Sequence, residues 1–513
     1  MQKWKTILLL PALWGLGVLQ AQGLRQDSLR RIWEDAGKAP VERLSAAQEL
    51  ARSFDKAQAD SAIHYEALGL ELARAVGNDT FQARLLYDLG IDYGFAGNMK
   101  TAQATLKEYL SLAMAIKRTH QLPLAVFHIS YTYALTDDVD ALEGYLDTII
   151  PPLEALITDT LQLVSLYQDA GQGFSVSGKY PQCIYWDLKA LNLLEQVSGS
   201  GKEKMSIYNS LGYSYCMMES TAKAEEYTRR SMQLARRFQD TSLIISNFDL
   251  LSQNEVFRGN YEQALAYIDS AIALGRQVKA ERPGLQGYRG RILIFLGRAE
   301  EAIPILQETL EYYESNAILN DWRAYICAQL GLAYLQLQQY ERAIAYGRKG
   351  LEFAQGLQKE SMENYEVLYK AWEALGNMAA AYDAYNSYIT YRDSIVSERN
   401  AQLAVRLELE NEFQRVRFRD SLQMARQNLE RELAFQQQLS RERANRNIFI
   451  AVGAVVFLLA IGLGSRLRFI RQTQLALAEK TRQIEAEKEK AQASERAKQQ
   501  FLANMSHEIR TPM

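Results

Sequence analysis

Small residues recur along most of this chain at a spacing of roughly forty residues: Ala62, Ala102, Ala141, Cys183, Ala224, Ala264, Ala302, Ala343 and Ala381. About five positions upstream there is a turn signal, often glycine, as in "GNMKTAQATL", "GKYPQCIYWDL", "GNYEQALAYI", "GRAEEAIPIL", "QQYERAIAYG" and "GNMAAAYDAY". A turn followed by a helix with a small residue at a fixed place describes helix pairs that cross closely. Such a pair buries its apolar face only by stacking on its neighbours. The stretch from Asp27 to Ile395 therefore reads as a curved helical solenoid. Composition agrees: the chain has 9 Pro and 29 Tyr, and almost no run of alternating β-branched residues.

The segments "LYDLGIDYGFAGNMKTAQATL" and "LGLAYLQLQQYERAIAYGRKGL" carry L-G, then Tyr three positions on, then small residues where helices cross. In this the chain resembles tetratricopeptide repeats. The resemblance implies an all-α, tetratricopeptide-like helical solenoid of helix pairs. A spacing near forty exceeds that family's thirty-four, which calls for longer helices and keeps HEAT-like repeats as an alternative. Two places are irregular: Glu255 stands where an aromatic is expected, and the pair at 124–150 departs furthest from the pattern.

The array shows no paired acids beside a histidine and no nucleotide-type glycine loop. His64, in "SAIHYEALGL", and His128, in "AVFHISYTYA", lie on helices, and His120 lies in the turn "RTHQLPL". These read as packing or surface histidines. Cys183, Cys216 and Cys327 lie far apart among apolar residues without CxxC spacing, so they read as small buried hydrophobes rather than a disulfide or metal set. An inner face rich in Tyr suits a peptide or another protein. A net charge of −3 gives no field that would draw nucleic acid.

Two apolar segments set the topology. "MQKWKTILLLPALWGLGVLQAQG" has basic Lys3 and Lys5, an apolar run from Ile7 to Leu19, and small Ala21 at a cleavage point, the pattern of a secretory signal. The bulk of Leu19 leaves an uncleaved anchor as the alternative. The second segment, "IFIAVGAVVFLLAIGLG" (Ile448 to Gly464), is uncharged between Arg446 and Arg466. At about 1.5 Å per residue it spans roughly 25 Å, enough for a short membrane crossing. Arginines balance across it, so orientation rests on the signal: residues before it are exported and those beyond 466 are cytosolic.

Charged helical sequence flanks this span. Phe418, Leu422, Ala425, Leu429 and Leu433 keep steps of three and four and draw one apolar stripe, which suits a parallel dimer. Beyond the membrane, Ile470, Leu477, Ile484, Ala491, Lys498 and Met505 recur every seventh residue. The partner stripe, Gln474, Thr481, Lys488, Glu495, Leu502 and Ile509, is polar in its middle, so this coiled coil is marginal and a charged linker competes with it. In that register His507 falls on the outward f position. An exposed imidazole there follows Ser506 and precedes Glu508, a carboxylate able to accept a ring proton. Thr511 lies one turn beyond, just before the helix-kinking Pro512.

The run "FLANMSHEIRTPM", Phe501 to Met513, resembles the phosphoacceptor motif of sensor histidine kinases. The resemblance implies that His507 is the phosphoacceptor, that Glu508 assists as base, and that Thr511 positions water for dephosphorylation. It also implies ATP with Mg as cofactor, bound in a domain with Asn- and Gly-rich motifs, and a response-regulator receiver domain as partner. No glycine occurs after Gly464, so residues 1–513 offer no such ATP site and this chain reads as a kinase truncated at its phosphoacceptor helix. The order is then signal peptide 1–21, repeat domain 24–395, coiled coil 396–446, transmembrane helix 447–467, cytosolic coiled coil 468–499, and the start of a dimerisation helix at 500–513. It describes a parallel homodimer, single-pass in a bacterial inner membrane, with the repeats in the periplasm meeting an unknown ligand or protein. Two other classes compete. One is a membrane-anchored interaction scaffold without phosphotransfer. The other, a tethered transcription regulator, needs a helix-turn-helix or basic cluster beyond 470 that the sequence lacks.

Overall fold

The computed structural model describes residues 24–54, 58–136, 138–195, 197, 199–316 and 320–508, and every regular element among them is helical. The segment read as a signal peptide lies outside these residues. A leading helix α1 (24–34) is followed by helices that alternate as first and second members of pairs. The first pairs are α2 (Pro40–Arg52) with α3 (Ala59–Ala75), α4 (Asp79–Phe95) with α5 (Met99–Ala115), α6 (Leu122–Leu135) with α7 (Val139–Leu156), and α8 (Thr160–Val176) with α9 (Tyr180–Glu195). Then come α10 (Gly201–Met217) with α11 (Thr221–Phe238), α12 (Thr241–Phe257) with α13 (Tyr261–Gln277), and α14 (Pro283–Phe295) with α15 (Ala299–Ser315). The last are α16 (Asn320–Gln336) with α17 (Tyr340–Phe353), and α18 (Gln358–Ala374) with the start of α19 (Met378–Glu508). The chain divides into two compact units, one ending at Arg415 and one beginning at Val416.

The long repeat follows from helix length. Helices α12 and α13 have 17 residues each, and their turns bring the repeat to roughly forty. The expected turn signals close the helices. Gly97 and Gly259 take φ of 80° and 78°, a left-handed conformation that glycine adopts without a Cβ penalty. Where "QQY" lacks glycine, Gln338 takes φ of 59° itself. Asn98 then caps α5, its side-chain oxygen accepting from the Thr101 amide at 3.4 Å.

Burial follows the small-residue register. Ala62, Ala102, Cys183, Ala224, Ala264, Ala302, Ala343 and Ala381 are all buried. Ala141 departs from expectation: it is exposed. Helix α7 buries Val139, Leu142, Leu146, Ile150 and Leu153 instead, and that apolar stripe rotates Ala141 outward. The same pair is irregular in packing, because α6 lies chiefly against α8 rather than α7. Gly173 makes this approach possible, since a Cβ there would stand 2.6 Å from the Ser130 carbonyl oxygen. Glu255, out of place in the pattern, is buried and accepts from Arg258 Nη1 at 2.9 Å and Asn260 Nδ2 at 2.7 Å.

Two apolar cores run along the array, one from α2 to α11 and one from α12 to α18. Between them is a buried polar seam. Ser231 donates to the Met205 carbonyl at 3.0 Å, Asn247 Nδ2 donates to Ser231 Oγ at 3.0 Å, and Asn209 Nδ2 donates to Asn247 Oδ1 at 3.2 Å. Each donor finds an acceptor, so the seam adds specificity without stranding a polar group.

Helix α19 begins as the second helix of the last pair. Tyr391 stacks on Tyr365 at 5.9 Å, and Tyr388 packs on Tyr369 at 5.3 Å. It continues unbroken past residue 395, where the sequence suggests the repeat domain ends, and residues up to 415 belong to the array's compact unit. In the second unit Phe418, Leu422, Leu429 and Leu433 are exposed along one stripe. The stretch around Ile448–Gly464 is exposed, and it is long and apolar enough to cross a membrane.

The backbone contact at Gly173 makes a direct prediction. Gly173→Ala should destabilise the array by about 1–3 kcal/mol, because the Ser130 backbone has to move. Gly144→Ala on α7, where a Cβ meets nothing within 4 Å, should be neutral or stabilising by up to about 1 kcal/mol. Urea denaturation followed by circular dichroism separates the two; equal effects would contradict the close α6–α8 crossing.

Candidate functional site

His507 and Glu508 occupy consecutive positions at the end of helix α19. Their side chains lie outside the described residues, as do Thr511 and Pro512 altogether, so the proposed chemistry of this motif stands on its sequence. The remaining histidines lie within the array. His64 and His120 are exposed, and His64 meets the Tyr65 ring edge-on at 5.2 Å. His128 lies among Phe127 and Tyr87, and burial lowers its pKa, which keeps the ring neutral. Cys183, Cys216 and Cys327 are buried and unpaired, with the Cys216 thiol pushed up to about 12 by burial. Such thiols are inert. Among the described residues no group of His, Cys, Asp and Glu is placed to hold a metal ion.

The first helices of successive pairs, together with Tyr180 at the start of α9, instead carry a polar and aromatic row. Tyr180 and Tyr213 meet edge-on at 5.9 Å, and Tyr288 meets Tyr325 at 5.9 Å. Asp249, on α12 between them, has its carboxyl pushed up to about 6 by burial, a shift reduced by the amide of Gln253, which donates to it at 3.0 Å. On α8, burial alone raises Asp169 to about 7. Further along, Arg291 on α14 lies near Tyr325 and Glu363, and Gln329 Nε2 donates to Glu363 at 3.2 Å. The row sets aromatic rings with hydroxyl tips beside half-buried carboxyls. A separate cavity of about 920 Å³ lies between α13, α14 and α15. It carries both signs of charge, with Arg289 paired to Asp269 and Arg282 held by Ser242 and Ser246.

A third feature escaped the sequence reading. Residues 398–413 of α19, assigned there to a coiled coil, dock on the turns inside the α8–α9 and α10–α11 pairs. Glu398 pairs with Lys179 at 3.0 Å, and Gln402 Nε2 donates to the Gly178 carbonyl at 3.1 Å. Arg399 grips Glu219 through two nitrogens at 2.7 and 2.6 Å, and Arg406 donates to Ser220 Oγ. Glu410 accepts from the Tyr215 hydroxyl at 2.8 Å and from Lys223 Nζ at 2.8 and 2.9 Å. Phe413 ends the row buried against the first core. Its signal in the sequence is a stripe at 399, 402, 406, 410 and 413, but the partners lie 180 to 224 residues upstream, and no local pattern names them.

Comparison with known proteins places the repeat motif. Residues 324–356 match the tetratricopeptide repeat family model. The chain is 29% identical over 107 residues to outer dynein arm-docking complex subunit 4 of Xenopus laevis, covering 21% of this chain and 19% of that protein. It is 52% identical over 44 residues to the non-motile and phage-resistance protein of Caulobacter vibrioides, covering 9% and 5%. The chain thus spans less than a fifth of the length of these two relatives. Among solved structures, the apo form of RapI is similar with a TM-score of 0.42 and 14% identity, covering 62% of this chain and 99% of that one. The stacked helix pairs and the matching repeat make the array a tetratricopeptide-like solenoid, a fold for protein–protein interaction.

The most perturbed carboxyl sits near the start of the array and is structural. Glu66 on α3 is buried, and its carboxyl is pushed up to about 9 by burial and then by Asp92 and Asp88. Unfolded, it ionises above its ordinary value of 4.5. Stability is therefore full below 4.5 and falls as pH rises toward about 9. Glu66→Gln should flatten the melting temperature between pH 5 and 9 and stabilise the fold at pH 8 by on the order of 1–3 kcal/mol. An unchanged pH profile would show that Glu66 is not held neutral.

Proposed function

We propose that this chain is the sensing portion of a membrane-bound histidine kinase of a two-component phosphorelay. The observation that carries the reading is "FLANMSHEIRTPM", whose His507 and Glu508 lie in the helix that starts in the last repeat. In this reading the array lies in the periplasm of a bacterial inner membrane and meets a ligand or partner protein there. The apolar stretch of α19 crosses the bilayer once, and the rods on either side pair in a parallel homodimer. Support comes from the interaction fold of the array and from the length and apolarity of the segment around Ile448–Gly464.

Only the acceptor half of the chemistry belongs to these residues. His507 would take the γ-phosphoryl group of ATP on a ring nitrogen as the bond to the β–γ bridging oxygen breaks and ADP leaves, Glu508 would accept the proton from the ring, and Thr511 would orient the water that later removes the phosphate as inorganic phosphate. Residues 1–513 contain no glycine-rich element that fits ATP with Mg, since glycine is absent after Gly464. A response-regulator receiver domain is the expected recipient of the phosphate.

The competing reading is a membrane-anchored interaction scaffold without phosphotransfer, and one substitution separates the two. Membranes carrying the product of the whole gene, given radiolabelled ATP, should acquire acid-labile, alkali-stable label that His507→Gln abolishes. Glu508→Gln should slow labelling on the order of 100-fold, and Thr511→Ala should lengthen the life of the label. Absence of label in the parent, or label that survives His507→Gln, favours the scaffold.

A further inference from the structure

The contact between residues 398–413 and the α8–α11 turns has the chemistry of a reversible fastening. Its charges alternate along the helix: Glu398 to Lys179, Arg399 to Glu219, Glu410 to Lys223. Most of these groups keep substantial exposure, with side chains at 35% and 46% for the first pair and 52% and 38% for the second. Pairs this open contribute little each and are screened by salt. The apolar part is short, with Phe413 buried and Val405 and Leu409 partly so. By contrast, the pairs within the array cross over apolar cores.

Position matters as much as strength. Residues 398–413 lie just before the array's compact unit ends at Arg415. Whatever the array does to the rest of the helix passes through them. The docked face carries 399, 402, 406, 410 and 413, whereas Leu403 and Leu407 stay exposed at 41% and 50%. The helix therefore keeps an apolar stripe free while it is fastened.

We propose that residues 398–413 form a detachable strap, held on the turns at Gly178–Lys179 and Glu219–Lys223 by complementary charge, whose release frees the outgoing helix beyond the last pair from the α8–α11 turns. This inference rests on the ion-pair geometry alone and stands apart from the kinase reading, so the two can fail separately.

Cross-linking tests the strap directly. Lys179→Cys with Glu398→Cys places two thiols across the contact in the full chain, in membranes. The native cysteines are buried, and burial raises their thiols, so a bifunctional thiol reagent reaches the introduced pair. Intramolecular cross-link should form readily at low salt and fall several-fold at high salt. Glu410→Lys should lower it likewise, and adding Lys223→Glu should restore it. If the yield ignores salt and both charge changes, the segment is permanent packing and no strap. If no cross-link forms at low salt, the docking itself is absent.

Discussion

The array depends on how closely the backbone of one helix can lie against the next. No helix pair here has a core of its own, so each apolar face is buried only when a neighbour comes near enough to cover it. Small residues set that distance. Ala102, Ala264, Ala302 and Ala343 put only a buried methyl group in the crossing, and at Gly173 the approach is tight enough that even a methyl group would strike the Ser130 backbone. Turns with left-handed residues at Gly97, Gly259 and Gln338 bring each second helix back onto its partner. Stability then accumulates from neighbour to neighbour rather than around one centre.

That arrangement has a consequence for the polar groups. Between α11 and α12 the two apolar cores give way to a hydrogen-bonded seam of Ser231, Asn209 and Asn247. A satisfied polar seam fixes register without adding much burial, so it marks the place where the halves of the array are joined by specific rather than apolar contacts. The row of Tyr213, Asp249, Tyr288 and Tyr325 continues across the same region. A relative shift of the helices on either side of that polar joint would move the members of the row against one another.

Local repetition made most of the fold legible in the sequence. The turn glycines, the small-residue register, the buried cysteines and the oddity at Glu255 all appear within a single repeat, where spacing and side-chain size are enough to read them. Ala141 fails because α7 follows its own apolar stripe once α6 packs on α8, and that choice depends on Gly173 of the next pair. The strap was missed for a related reason. Glu398, Arg399 and Glu410 look like solvated rod residues until Lys179, Glu219 and Lys223 arrive from a distant part of the chain. Charge stripes show that a helix has a face and leave its partner open. His507 is the reverse case: a motif clear in sequence, whose side-chain geometry the fold does not supply.

In the proposed reading one helix joins an interaction array to a phosphoacceptor histidine, so the place where phosphate resides decides between a kinase and a scaffold. The most direct measurement is mass spectrometric mapping of phosphohistidine on the protein taken from its native membrane under alkaline conditions. Phosphate on His507, with none on His64, His120 or His128, is the predicted result. Phosphate absent from His507, or spread over the array histidines, would contradict it and leave the array as a binding protein alone.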